Sequence, residues 1–247
     1  MSDELVYGIH AVAAVLARRP SAVRSLMIQS GRADRRVQAL VEAARDARIT
    51  VEPRAATDLD AMLPGLVHQG VVAKVEPAKA VDENAFLASL DVANKPPLIL
   101  VLDGVQDPHN LGACLRTADG VGADALVVPR DRATGLTPVV RKVAAGAAET
   151  VPLVQVTNLA RFLRELKEEG VWVVGADGDG DKLHYEVDLK GPLAIVLGAE
   201  GTGMRRLTRE VCDHVVRLPM RGAVQSLNVS VATGVLLYEA LRQRGAT

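Results

Sequence analysis

The second half of the chain carries six short apolar runs that are mostly separated by helical stretches. In chain order they read LILVLDGV, ALVVPRD, TVPLVQVT, VWVVGADG, LAIVLGAEG and HVVRLPM. Unbroken runs of Val, Leu and Ile are typical of strands buried on both faces, and strands that alternate with helices usually pair in parallel. The pattern therefore predicts an α/β fold in which a mainly parallel sheet is covered by helices on both faces.

Four polar or glycine-rich loops follow these predicted strands. They are DGVQDPHN, GADGDGD, GAEGTGM and LPMRGAVQSLN. Parallel sheets bind their ligands at the carboxyl ends of the strands. Because each of these loops begins at such an end, we expect them to meet and to form the functional site.

Residues 1–76 predict a separate, smaller α/β domain. Apolar spacing and glycine turns divide it into helices from Tyr7 to Arg19, from Arg35 to Arg48 and around Leu59 to Leu63, and into the strands VRSLMIQSG, ITVEP and GVVAKVEP. Residues 77–96 begin and end with proline and hold one weak amphipathic turn, so we interpret them as a linker. Residues 97–247 then form the larger domain.

The charge of the chain is balanced, with 29 Lys and Arg against 30 Asp and Glu. This balance excludes a strongly basic nucleic-acid-binding module of the simple kind. Arginines are nevertheless bunched at Arg18 and Arg19, at Arg32, Arg35 and Arg36, at Arg205, Arg206 and Arg209, and at Arg217 and Arg221. Solvated helix ends and a phosphate-binding track explain these bunches equally well. Aromatic residues are too scarce for base-stacking platforms.

Missing signals exclude several common classes of protein. The chain has neither an apolar stretch of roughly 18 to 20 residues nor a signal-peptide pattern, so we expect a cytoplasmic protein that does not bind membranes. Two cysteines and five scattered histidines form neither a disulfide framework nor a zinc site. The phosphate loops of nucleotide-binding and nicotinamide enzymes and the serine hydrolase motif are missing. Asp177, Asp179 and Asp181 match half of a calcium loop, but Lys182 stands where that loop needs glycine, so we expect no metal.

The helix predicted from Leu111 has an unusual outer face. The core stripe is expected to consist of Leu111, Cys114, Leu115 and Ala118. Arg116 points nearly the opposite way, and its neighbours there are Gly112, Ala113 and Gly120. Small neighbours leave the guanidinium unshielded and let another backbone come close. Asn110 stands where an N-cap is expected.

Two further segments hold candidate functional residues. Glu200 lies between a predicted strand and a short helix and is flanked by Gly198, Gly201 and Gly203. A carboxylate at this position either compensates the helix dipole or belongs to a loop whose glycines let another group come close to the backbone.

The last helix runs from Asn228 to Arg244 and is apolar almost all round as far as Leu237. This pattern indicates either burial within the chain or a homodimer contact.

Three segments of the chain resemble the motifs of the TrmH branch of the SPOUT class, which are RNA ribose 2′-O-methyltransferases. They are DGVQDPHNLGACLRTADGVGADALVVP, IVLGAEGTGM and LPMRGAVQSLNVSVATGVLLYEALRQR. The resemblance extends from YGIHAV through HQGVVAKV to the end of the chain. It implies a deep trefoil knot in the larger domain, an S-adenosylmethionine cofactor, an obligate homodimer and an N-terminal RNA-binding domain similar to ribosomal protein L30e.

The resemblance also implies the roles of particular residues. Catalysis is assigned to Asn110, Arg116, Glu200, Ser226 and Asn228, and cofactor binding to Gly175, Ala176, Gly198, Leu218, Met220 and Leu227. We expect Arg18, Arg19, Arg35, Arg36 and His68 to contact the RNA. Capping by Ser226 or Asn228 and core packing of the leucines are the structural alternatives.

The implied reaction is methylation of a guanosine ribose in the 23S ribosomal RNA loop that holds peptidyl-tRNA. A transfer RNA methyltransferase of the same family and a non-catalytic RNA-binding assembly factor are the alternatives. Two roles are open for Arg116. Because a guanidinium stays protonated in proteins, we favour a role in fixing the adjacent phosphate and stabilising the forming alkoxide over a role as general base. That phosphate or a water then takes the proton.

Overall fold

The structure of the protein is a computed structural model that describes residues 3–76, 81–131 and 133–245. These residues divide into two compact units. The first contains residues 3–76 together with Ala145–Thr150, and the second contains residues 81–144 and 151–245. Residues 77–80 of the predicted linker lie outside the described residues. Within the described ranges, every helix is too short or too polar to cross a membrane.

The first unit is built on a mixed sheet. Its described elements are β1 (Glu4–Tyr7), α1 (Ile9–Arg18), β2 (Val23–Gln29), α2 (Arg35–Asp46), β3 (Thr50–Arg54), α3 (Ala56–Met62) and β4 (Val71–Val75). The strand order is β1-β4-β2-β3. Both β1 and β2 run antiparallel to β4, and β2 runs parallel to β3. Since β1, β2 and β3 point the same way, the connecting helices α1 and α2 both run in the opposite direction.

The helices cover both faces of this sheet. Val12 and Val15 of α1 are fully buried in one core with Leu26 of β2, and the apolar face of α2 packs into the same cluster. On the other face, Leu59 of α3 is fully buried against Val72 of β4. Burial of these aliphatic side chains is the main source of stability for so small a unit.

The strand β1 is an element that the apolar spacing did not predict. The helix predicted from Tyr7 begins at Ile9 in the structure. Gly8 separates the two elements with a φ of 88°, a conformation that side-chain-bearing residues rarely adopt. The amide of Gly8 donates to the carbonyl of Val71 at 3.0 Å and so attaches this turn to β4.

The second unit contains the six predicted strands. Its described elements are α4 (Glu83–Ala88), β5 (Leu98–Asp103), α5 (Pro108–Gly120), β6 (Ala125–Pro129), α6 (Pro138–Ala144), β7 (Leu153–Val156), α7 (Leu159–Glu168), β8 (Trp172–Ala176), β9 (Lys182–Leu183), β10 (Leu193–Gly198), α8 (Arg206–Val211), β11 (His214–Arg217) and α9 (Val229–Gln243). The strand order is β7-β6-β5-β10-β8-β11-β9, and every neighbouring pair is parallel. The predicted α/β fold with a mainly parallel sheet is confirmed.

Helices lie on both faces of the parallel sheet. On one face Ile99 and Val101 of β5 share a core with Phe162 of α7, and all three side chains are fully buried. The alternate residues of β5, such as Leu100, are equally buried on the other face. There α5 contacts both α6 and α9. Coverage of both faces accounts for the unbroken apolar runs in the sequence.

For two segments, the structure differs from the domain assignment made from the sequence. Within the predicted linker, α4 packs in the second unit, where Phe86 is buried with its ring centre 6.3 Å from that of Phe162. Ala145–Thr150, from the predicted larger domain, belongs to the first unit. Gly146 makes this possible, because a Cβ there would stand 3.1 Å from the Cβ of Ala14.

Candidate active site

Three side chains from separate parts of the chain form a hydrogen-bonded network at the carboxyl edge of the parallel sheet. Glu200 Oε1 accepts from Nδ2 of Asn228 at 2.7 Å and from Nδ2 of Asn110 at 3.2 Å. The same Nδ2 of Asn228 lies 2.9 Å from Oδ1 of Asn110. The network joins α5, the loop after β10 and the beginning of α9, as the predicted convergence of these loops requires.

The predicted capping roles divide between the two asparagines. Asn228 is the N-cap of α9, because its Oδ1 accepts from the amide of Ser230 at 2.8 Å. For Asn110 the predicted N-cap role is wrong. Asp107 caps α5 by accepting from the amide of His109 at 3.0 Å, so Asn110 already lies inside the helix. Its buried amide is therefore free to bind Glu200.

The loop after β10 owes its shape to its glycines. Gly201 and Gly203 have φ values of 79° and 66°, in the left-handed region that glycine favours. The amide of Gly203 donates to the carbonyl of Ala199 at 2.9 Å. Gly198 lies so close to the returning chain that a Cβ would stand 2.0 Å from the carbonyl carbon of Gly203. The result is a tight loop that carries Glu200 at its tip.

A cavity of about 580 Å³ opens beside this network. Five of the six predicted cofactor-binding residues line it, together with Glu200, Ser226 and Asn228: they are Ala176, Gly198, Leu218, Met220 and Leu227. Gly175, the sixth, is not among the lining residues. A Cβ at Gly175 would stand 2.7 Å from Cε of Met204, so close packing requires a glycine there.

The cavity combines apolar walls with carboxylates. Leu197, Leu218 and Leu227 supply aliphatic surface, and Glu200 and Asp177 supply negative charge. Arg209 pairs with Asp177 at 2.9 Å, whereas no described cation pairs with Glu200. Apolar walls with a few placed polar groups are typical of small-molecule sites, and an uncompensated carboxylate favours a cationic ligand.

Arg116 is separate from this cavity within one chain. It lies six residues beyond Asn110 on α5, which is a rise of about 9 Å along the helix. Its side chain is exposed, and within the described residues it has neither an ion pair nor a hydrogen bond. The prediction that another backbone comes close to the outer face of α5 is confirmed at Gly112. A Cβ there would stand 2.8 Å from the carbonyl oxygen of Val140 in α6.

The residues predicted to contact RNA fall into two groups. Arg18, Arg35 and Arg36 are exposed. Arg19 instead pairs with Glu149 at 2.8 Å and donates to the carbonyl of Glu76 at 2.9 Å. His68 is buried: its Nε2 lies 2.9 Å from Oδ1 of Asp60, and its Nδ1 accepts from the amide of Gly70 at 3.0 Å. Both of these side chains hold the first unit together.

The exposed arginines lie at opposite ends of the helical layer. Arg18 is the last residue of α1, and Arg35 and Arg36 begin α2. Because α1 and α2 run parallel, these residues are separated by about one helix length, roughly 15 Å. A single phosphate-binding track that includes both groups of arginines would have to follow the full length of the helices.

The sequence did not predict a role for Asp103, a buried acid that contacts the loop after β10. Asp103 ends β5 with its side chain fully buried, and it pairs with Arg205 at 2.6 Å. The only sequence signal is an acid at the end of an apolar run.

The two cysteines are poor nucleophiles. Burial raises the pKa of the Cys114 thiol and of the Cys212 thiol to about 11.

Two family models match the chain. Residues 97–238 match the SpoU rRNA methylase family, and residues 5–81 match the RNA 2′-O ribose methyltransferase substrate-binding domain. The chain therefore belongs to the SpoU rRNA methylase family, and the family assignment made from its motifs is confirmed.

Named relatives match over nearly the whole length. The chain is 57% identical to 23S rRNA (guanosine-2′-O-)-methyltransferase RlmB of Pseudomonas syringae pv. tomato, over 98% of this chain and 97% of the relative. It is 50% identical to RlmB of Vibrio vulnificus over the full length of both. Among solved structures, the SpoU methyltransferase AviRb from Streptomyces viridochromogenes in complex with AdoMet superposes with a TM-score of 0.80 and 26% identity, covering 100% of this chain and 92% of that one.

Proposed function

We propose that this chain transfers a methyl group from S-adenosylmethionine to the ribose 2′-hydroxyl of a guanosine in 23S ribosomal RNA. The observation that carries the proposal is the cavity whose rim holds Glu200 bound to both Asn110 and Asn228. Relatives at 50–57% identity bear the name of this activity. We place the target guanosine in the loop that holds peptidyl-tRNA and the enzyme in the cytoplasm, where that RNA is found.

The cavity fits S-adenosylmethionine in size and in chemistry. Its volume of about 580 Å³ lies within the range of small-molecule sites. Leu218, Met220 and Leu227 are placed to enclose the adenine and the methionine chain, and the carboxylate of Glu200 favours a positively charged ligand. When bound, S-adenosylmethionine supplies a methyl group on a cationic sulfur that becomes a neutral thioether.

The protein must activate the ribose hydroxyl, which is a poor nucleophile until its proton leaves. Arg116 is suited to bind the adjacent phosphate and to stabilise the negative charge that develops on the 2′-oxygen. The proton then passes to that phosphate or to a water. Glu200 holds the two asparagines, and Ser226 lines the cavity beside them.

A homodimer completes the proposed site. Val231, Val235 and Tyr238 form an exposed apolar stripe on α9, with relative exposures of 52%, 37% and 53%. We infer that this stripe is covered by a second copy of the chain. Because α5 packs beside α9, a two-fold contact through this stripe would present Arg116 to the cavity of the partner.

Methyl transfer to defined RNAs tests the proposal. The protein is incubated with labelled S-adenosylmethionine and unmodified transcripts of 23S rRNA and of transfer RNA, and the labelled nucleotide is mapped. We expect label at one guanosine of the 23S transcript and no label when that nucleotide is 2′-deoxyguanosine. Label confined to transfer RNA would identify the alternative substrate, and RNA binding without transfer would identify an assembly factor.

A further inference from the structure

Asp103 is a buried carboxylate that the proposed chemistry does not use. Its Oδ2 accepts from the backbone amide of Arg205 at 2.9 Å, and its Oδ1 accepts from Nε of Arg205 at 2.6 Å. The carboxylate has no solvent exposure, whereas the arginine side chain is 46% exposed. A buried carboxylate is costly unless a cation and hydrogen bonds compensate it. Arg205 supplies the cation and both hydrogen bonds, so its position relative to Asp103 is fixed.

Asp103 contacts both ends of the loop that carries Glu200. At the beginning of the loop, Gly198 pairs with Asp103 in the register between β10 and β5. At its end, the amide of Arg205 binds the Asp103 side chain. Between these points the loop closes on itself through the hydrogen bond from Gly203 to Ala199. A displacement of Arg205 therefore moves the whole loop.

We infer that Asp103 and Arg205 are a positioning pair for the cofactor. Neither residue lines the cavity, so the pair acts through the loop, of which Gly198, Glu200 and Gly203 do line it. The pair holds these residues where they form one wall of the cavity and where Glu200 reaches both asparagines. The inference rests on the proposed function, because it takes S-adenosylmethionine as the ligand.

Neighbouring arginines provide a matched test. Arg206 has a 77% exposed side chain whose described partner is Glu210, one turn further along α8. We compare Arg205→Met, Arg205→Lys and Arg206→Met in the full-length protein by calorimetric titration with S-adenosylmethionine, with binding of the 23S transcript and the melting temperature measured in parallel. We expect Arg205→Met to weaken cofactor affinity by about tenfold or more, since the buried carboxylate loses its cation and the hydrogen bond from Nε and keeps only the backbone amide.

The other variants separate positioning from general stability. We expect Arg205→Lys to be intermediate, because lysine keeps the charge but not the donor geometry of Nε. Cofactor affinity should be unchanged in Arg206→Met, and RNA affinity should be unchanged in both Arg205 variants. Unchanged cofactor affinity in both Arg205 variants, with a lower melting temperature, would overturn the inference. A wild-type protein that binds no S-adenosylmethionine would overturn the proposed function as well, so the two failures are distinguishable.

Discussion

At the scale of single residues, the proposed chemistry depends most on Arg116. A catalytic arginine that stays protonated acts through its charge and its planar array of donors. Arg116 is exposed and unpaired within the described residues, so both features are available to an RNA phosphate and to the 2′-oxygen beside it. This role predicts a different result from that of a general base.

Replacement of Arg116 by lysine distinguishes the two roles. Lysine keeps the positive charge but loses the planar pair of donors, so we expect kcat to fall by about 10²-fold while the shape of the pH profile stays that of the wild type. Initial rates of methyl transfer to 23S rRNA across the neutral and alkaline range give both quantities. Arg164→Lys, at an exposed arginine on α7, is the matched control and should leave kcat unchanged.

The opposite outcome is equally clear. A lysine variant that keeps most of the rate, with a profile that follows the titration of an amine, would indicate that the side chain at this position accepts the proton. The electrostatic role of Arg116 would then be wrong.

The sequence predicted site residues unevenly, for physical reasons. Glu200 and Asn228 stand beside glycines and at a helix start, and such local signals are visible without a structure. The N-cap that was the structural alternative for Asn110 was wrong, because the side chain of Asp107 caps α5 instead. The pair of Asp103 with Arg205 joins residues 102 positions apart, and no local pattern reports a contact over such a separation.

At the scale of secondary-structure elements, Gly112 determines how closely two helices approach. A Cβ at this position would stand 2.7 Å from Cβ of Val143 and 2.8 Å from the carbonyl oxygen of Val140. Both atoms belong to α6, and the backbone carbonyl cannot move aside cheaply. The glycine on the outer face of α5 is thus a packing requirement as well as a source of exposure for Arg116.

The variant Gly112→Ala tests this packing. In an open helix the change would stabilise the protein by about 1 kcal/mol, but we expect a loss of roughly 1–3 kcal/mol because the methyl group overpacks the contact with α6. Urea denaturation measures the difference. Ala113→Gly in the same helix calibrates the propensity term and should lose about 1 kcal/mol. A Gly112→Ala protein more stable than the wild type would contradict the close contact.

Elements were predictable where their pattern was long and apolar. The strands β5 to β8, β10 and β11 follow runs of Val, Leu and Ile, and burial on both faces dictates such runs. The two-residue strand β9 is too short to leave a pattern. Ala145–Thr150 joins the first unit through contacts with α1, which the order of residues along the chain does not reveal.

At the scale of the whole molecule, we propose that two chains share the site. The cavity and Glu200 belong to one protomer, and Arg116 lies outside that cavity on α5. In a two-fold dimer formed through α9, each chain gives its Arg116 to the other and receives one in return. Such an arrangement explains why an exposed cation and an apolar stripe lie on neighbouring helices.

Hybrid dimers test whether the site is shared. Arg116→Ala and Glu200→Ala chains are made with different tags, and we expect each to be inactive alone. If Arg116 acts across the dimer, a hybrid contains one intact site, because the Glu200 of one chain meets the Arg116 of the other. Random mixing should then restore about a quarter of wild-type methyl transfer, since about half of the dimers are hybrids with one working site of two. If Arg116 serves its own chain, both sites in the hybrid are broken and the mixture stays inactive, which would contradict the shared site.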